Sequence, residues 1–312
     1  MPAPASRTAL LLAFAAIYLI WGSTYLAIRV AVTTMPPFLA AGARFLIAGA
    51  IVAAWLAVTR GFRPTLRQWR DNTFAGLLML VGGNSIVMWA EQRIPSGITT
   101  LIISCSPLFM VMIDWAALKL SPPGSGRGSR PSVPTLIGLG LGFGGLVLLI
   151  GGGGASEVPL DYWRTVGILL GCVSWSLGSL FSRYNRDPAE PLTAATLQML
   201  CGGALMVVIG VILGEQRGFD LATISVHSWL AWGYLIAAGS LVAYPSYVWL
   251  LKHSTPARVS TYAYVNPVVA VFLGWLLLRE PVSSRTLLAA GIIIAAVAII
   301  TTQKSRLAAK KA

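Results

Sequence analysis

The stretch Pro256–Pro281, PARVSTYAYVNPVVAVFLGWLLLREP, decides how the chain is read. From Ala257 to Leu278 it runs more than twenty residues with one charge, Arg258, near its start. At about 1.5 Å per residue a helix of that length crosses a bilayer. Pro267 sits at its centre directly after Asn266. A mid-membrane proline has no N–H and frees a carbonyl, so it predicts a kink. Residues 96–122, SGITTLIISCSPLFMVMIDWAALKLSP, echo this stretch in the first half of the chain. Subtracting 160 takes Pro267 to Pro107, Trp275 to Trp115, Arg279 to Lys119 and Trp249 to Trp89.

Outward from this pair, apolar runs give ten spans. They lie near 9–32, 37–58, 73–90, 96–118 and 134–151, then 164–182, 191–213, 228–250, 257–278 and 286–302. The chain is 56% hydrophobic and 11% charged, whereas soluble domains carry about a quarter charged residues. A multi-pass membrane protein follows. The net charge of +13 is a topology signal and not a nucleic-acid footprint, because its distribution is one-sided. With the N-terminus cytoplasmic, sixteen Lys and Arg fall inside, such as Arg60, Arg63, Arg67 and Arg70 in one loop, and five fall outside. That is the positive-inside pattern, with both termini cytoplasmic. The first span lacks a small-residue cleavage site and reads as a retained helix.

Few residues have the chemistry of a catalytic or metal site. Cys105, Cys172 and Cys201 lie inside spans without CxxC spacing and read as small packing residues. His227 and His253 sit at span edges without ligand-spaced partners, and no cofactor or metal is expected. The run GLGLGFGGLVLLIGGGG has no preceding strand and is itself a span, so Gly138/Gly142 and Gly140/Gly144 read as helix-packing positions. Asp114 is the carboxylate clearly inside a span, the type of group proton-coupled carriers use. It lies toward the cytoplasmic end, and its repeat partner is Gly274. A membrane enzyme would need ionisable groups clustered at one depth, and Arg44 and Asp114 lie toward opposite faces. A channel would need a ring of like groups or symmetric assembly.

The candidate site residues are mid-span aromatics and polar groups. In YLIWGSTYLAIRV, Tyr18, Trp21 and Tyr25 are spaced to share a helix face. Arg44 is buried in the second span. It either snorkels and pairs with helix ends or holds an anionic group such as a substrate carboxylate. Asn84 lies at a polar, small-residue point, GGNS, in the third span. Tyr244 with Tyr247, and Tyr262 with Asn266, are spaced to share faces.

A second offset, 154, takes Trp21 to Trp175, Arg29 to Arg183, Pro37 to Pro191, Arg44 to Gln198 and Gly49 to Gly203. The chain therefore divides into five-span repeats, 1–155 and 156–312. Repeats with an odd number of spans must be inverted relative to each other, which is a transporter architecture with a midplane site. The expected fold is all-α integral membrane, with ten transmembrane helices as two inverted five-helix repeats around a central cavity.

WGSTYLAIR in the first span, PPFLAAGARFLIAG in the second and VNPVVAVFLGWLLLREP in the ninth resemble the EamA family of the drug/metabolite transporter superfamily. The resemblance spans about residues 9–302 in both repeats. It implies an inner-membrane exporter working by alternating access, with a small-molecule substrate, amino acids (aromatic and apolar ones included) first among them. Multidrug or other metabolite export is the alternative. The expected cavity candidates are Trp21, Tyr25, Arg44, Asn84, Trp175, Ser179, Gln198, Tyr244, Tyr247, Tyr262 and Asn266. Pro107 and Pro267 are the expected gating kinks. The glutamate that the family carries after the fourth span is absent, since Glu280 pairs with Leu120. The lipid bilayer is the surrounding partner, no nucleic acid is involved, and one chain suffices for a cavity.

Overall fold

A chain this apolar must satisfy its backbone polar groups internally, and helices do so segment by segment. The computed structural model describes residues 6–94, 96–122, 125–150, 161–185, 188–217, 220–278 and 284–309, and these contain helices and no strand. The helices are α1 (Arg7–Ala31), α2 (Pro37–Thr59), α3 (Leu66–Glu91), α4 (Ser96–Ile103), α5 (Ser106–Leu120) and α6 (Val133–Ile150). They continue as α7 (Tyr162–Tyr184), α8 (Pro191–Ile212), α9 (Val226–His253), α10 (Pro256–Val259), α11 (Tyr262–Leu278) and α12 (Ser284–Ala309). Six of these, α1, α2, α3, α7, α8 and α9, are long and apolar enough to cross a membrane. Arg279, Glu280, Glu157, Pro159, Arg186, Lys310 and Lys311 lie outside the described residues, as does the side chain of Trp275.

Three of the long helices carry a widened turn of π geometry. In α1 it covers Ala16–Ile20, in α3 Leu77–Ser85 and in α9 Leu235–Ala243. The two nine-residue segments occupy nearly the same place in the two halves of the chain. They hold Gly82, Gly83 and Gly239, which leave room where neighbouring helices approach. Such widened turns are frequent at functional sites.

The halves meet along α2 and α8, which run antiparallel. A Cβ on Gly42 would stand 2.8 Å from the carbonyl oxygen of Gly203, and one on Gly203 would stand 2.9 Å from that of Gly42. The two backbones are in direct contact. At the end of the pair, Glu215 follows α8 and accepts hydrogen bonds from the Phe38 and Leu39 N–H groups at 3.2 and 2.9 Å. These are orphan donors of the α2 N-terminus, where Pro36 and Pro37 supply no side-chain cap. Antiparallel contacts also join α3 to α7, through Ser174 Oγ on the Leu78 carbonyl at 2.8 Å, and α6 to α12, through Arg285 Nε on the Leu148 carbonyl at 3.0 Å.

Pro107 and Pro267 sit at different places in their helices. The helix breaks at Ser104–Cys105, immediately before Pro107, which then sits in the first turn of α5 where its missing N–H costs nothing. Pro267 lies inside the continuous helix α11, and the break falls earlier, at Ser260–Thr261. There the Ser260 and Thr261 hydroxyls bond back to the Ala257 and Arg258 carbonyls and hold the turn. Such side-chain back-bonding offers the backbone an alternative to the helical ladder at that turn.

Gly203→Ala places a methyl against backbone that cannot move aside. It is expected to lower the unfolding midpoint of the detergent-solubilised protein by the equivalent of about 1–3 kcal/mol. Gly233→Ala, with nothing within 4 Å of the added carbon, should leave the midpoint unchanged or raise it by up to about 1 kcal/mol.

Candidate functional site

The duplicated tryptophans meet at the centre of the molecule. Trp21 of α1 and Trp175 of α7 pack edge to face, with ring centroids 5.6 Å apart and an interplanar angle of 76°. Tyr247 lies 5.0 Å from Trp21 and 5.2 Å from Trp175, and Tyr262 lies 5.0 Å from Trp21. Edge-to-face aromatic pairs gain about 0.5–1.5 kcal/mol beyond their buried area, so this cluster is cohesive. The Trp175 indole and the Tyr247 hydroxyl are satisfied in a closed circuit with Ser179. Trp175 Nε1 donates to the Tyr247 hydroxyl at 2.8 Å, that hydroxyl meets Ser179 Oγ at 2.7 Å, and Ser179 Oγ donates to the Trp175 carbonyl at 2.6 Å.

A second polar chain lies alongside. Tyr244 donates to Gln198 Oε1 at 2.7 Å, Gln198 Nε2 donates to Asn72 Oδ1 at 2.9 Å, and Asn72 Nδ2 donates to the Gln68 carbonyl at 2.9 Å. This chain ties α9, α8 and α3 together with buried groups fully used.

On one side of the aromatic cluster lies a cavity, with about 70 Å³ open to the centres of water-sized spheres. That is several times the roughly 10–15 Å³ that one water needs. Of the candidate residues, Trp21, Tyr25, Arg44, Asn84, Trp175, Tyr244 and Tyr262 line it. Ser179, Gln198, Tyr247 and Asn266 do not. The first three belong to the hydrogen-bonded layer behind the wall, and Asn266 is buried beside Tyr25. Sequence reasoning did not single out Thr24, Phe45, Ser106, Cys172 and Gly239 as wall residues. Ser106 carried a signal, being next to Pro107 at a helix break, whereas Cys172 and Phe45 look like any packing residue.

Two polar atoms in the wall are left over. Arg44 is 3% exposed, donates from Nε to Ser240 Oγ at 2.8 Å, and sits 4.4 Å over the Phe45 ring. Its Nη1 has no partner, and no carboxylate among the described residues lies within ion-pair distance. Asn84 Oδ1, also in the wall, is unpaired too. A buried cation without a counter-ion is costly, as is a buried acceptor without a donor. The cavity therefore offers a cationic donor and a neutral acceptor to whatever enters. Asp114, by contrast, is occupied: Ser129 and Tyr184 both donate to it, the latter at 2.7 Å.

The fold and this wall define a membrane transporter. The chain belongs to the EamA-like transporter family, whose model matches residues 7–151 and 163–302. It is 36% identical over 95% of its length to the uncharacterized inner membrane transporter YedA of Escherichia coli (strain K12), covering 91% of that protein. It is 28% identical to protein PecM of Dickeya dadantii (strain 3937), over 90% of this chain and 88% of that one. With the uncharacterized transporter YvbV of Bacillus subtilis (strain 168) it shares 25% identity over 96% and 93% of the two chains. A solved crystal structure superposes with a TM-score of 0.74 at 22% identity, covering 97% of this chain and 99% of that one. The protein is a multi-pass transporter of the inner membrane.

Tyr247→Phe removes the acceptor of the Trp175 indole and breaks the closed circuit. It should destabilise the purified protein by about 1–3 kcal/mol, read as a lower unfolding midpoint, with a shift in tryptophan emission as the indole N–H loses its partner.

Proposed function

We propose that the chain exports small metabolites, amino acids first among them, by alternating access between two inverted five-helix repeats, 1–155 and 156–312. The observation that carries the substrate class is the pair of leftover wall atoms. Arg44 Nη1 suits a carboxylate and Asn84 Oδ1 suits an ammonium group. Around them, Trp21, Trp175, Tyr244, Tyr262 and Phe45 give the apolar surface that an aliphatic or aromatic side chain needs.

The inversion is supported by which helices touch. Sequence-equivalent helices α2 and α8 pack antiparallel, as do α6 and α12, and the pairing of α3 with α7 is matched by that of α9 with α1. On this reading α4 with α5, and α10 with α11, are the remaining broken spans that complete ten. The aromatic cluster and the Tyr244–Gln198–Asn72 chain then form the cytoplasmic floor of a cavity open toward the outside. Transport to that side requires the floor to part, and rocking of the repeats about the α2–α8 contact would do so. One chain carries both halves of the cavity, so a monomer suffices.

The test is uptake of a labelled amino-acid panel by purified protein in liposomes. Saturable uptake of apolar and aromatic amino acids is expected. Arg44→Gln should weaken apparent affinity by about ten- to a hundredfold, the worth of a charge-assisted hydrogen bond. A panel without saturable uptake rejects the amino-acid reading in favour of multidrug or other-metabolite export.

A further inference from the structure

We propose that Glu91 binds a proton and couples this transporter to a proton gradient. Glu91 closes α3 and is 0% exposed, and neither of its carboxyl oxygens has a hydrogen-bond partner among the described residues. The surrounding architecture does not need that carboxyl. Arg29 of α1 donates to the Glu91 main-chain carbonyl, capping the end of α3. Arg183 of α7 donates to the Leu251 and Ser254 carbonyls, capping the end of α9. Arg29 and Arg183 are related by the sequence offset of 154, and Glu91 and Leu251 by the offset of 160. The same cap is therefore built twice through the main chain, once on a glutamate and once on an equally buried leucine. What the first copy adds is an acid.

Among the described residues no ion pair holds Glu91 as an anion. On α1 these are Arg29, used on the main chain, and Tyr25. On α7, Arg164 donates to the Trp89 carbonyl and pairs with Asp161 at 3.2 Å, and Cys172 lies further along the same helix. Arg44 of α2 is bonded to Ser240, and Arg93 follows in the turn. No nitrogen of these cations comes within 4.0 Å of the Glu91 carboxyl among the described ion pairs. A carboxyl buried without a partner is stable as the neutral acid, so in this conformation the group carries a proton. Arg29 is already at the next main-chain atom, and a small slide of α1 against α3 would bring it to the carboxyl. That exchange, proton off and guanidinium on, is the switch. Tyr25, one turn before Arg29 on α1, lines the cavity. Substrate contact with α1 is thereby linked to the acid. The proton binds from the outside, is released inside after the slide, and one proton enters for each substrate exported.

The coupling rests on the transport reading above, so two readouts separate the claims. Infrared spectra of the protein in liposomes in D2O should show a protonated-carboxyl band at neutral pH that Glu91→Gln removes. In the same liposomes, a one-unit pH gradient should drive about tenfold accumulation of labelled leucine for one proton per substrate. In Glu91→Gln and in Glu91→Leu the ratio of uptake with and without the gradient should fall to one. Glu91→Leu copies the residue across the repeat and should melt like the wild type, which separates lost coupling from lost fold. A wild-type spectrum without the band, or variants that still respond to the gradient, would overturn the proposal. Silence of the whole amino-acid panel, with the band present and removed by Glu91→Gln, sinks the amino-acid reading and leaves the proton site standing.

Discussion

The contact of backbone on backbone at Gly42 and Gly203 is the constraint on which the molecule turns. In lipid there is no water to drive helices together, so close approach through glycine supplies packing that larger residues cannot. That crossing fixes α2 against α8 and so brings Arg44 and Gln198, which occupy equivalent places in the two halves, to the middle of the protein. The two residues end up with different work. Arg44 faces the cavity with a nitrogen to spare, while Gln198 is consumed in the chain from Tyr244 to Asn72. The result is a polar wall on one side and a sealed layer on the other.

The same division recurs at other positions related by the two sequence offsets. Trp21 and Trp175 meet face to edge, but Tyr25 borders the cavity where its counterpart Ser179 closes a hydrogen-bonded circuit. Glu91 and Leu251 end equivalent helices under equivalent arginine caps, one with an acid and one without. Positions matched by sequence offset thus carry different chemistry.

How much of this was legible beforehand follows from what hydropathy and duplication can carry. The matched tryptophans and the paired Pro-containing spans were visible because they recur at fixed offsets, and seven of the cavity candidates line the wall. Helical spacing showed that Tyr244 and Tyr247 could share a face, but not which of them meets open space. The widened turns in α3 and α9 could not be read at all, because an altered hydrogen-bond register leaves no mark on composition. In the sequence Glu91 is one of two charges, with Arg93, at the end of the third span. Only the positions of Arg29 and Arg183 distinguish it, and those depend on tertiary packing. The break at Ser260–Thr261, one and a half turns before Pro267, was not legible either, because hydroxyl back-bonding there leaves no mark on hydropathy.

The central claim is that the aromatic-walled cavity is the path taken by substrate. Labelling of a single cysteine in that wall tests it most directly. Asn84→Cys, with Cys105, Cys172 and Cys201 replaced by alanine, would be exposed to a membrane-impermeant thiol reagent from each side of oriented vesicles. The account predicts reaction from the outer side, slowed by saturating amino acid. Reaction that is equal from both sides, or indifferent to every amino acid that the protein transports, would contradict it.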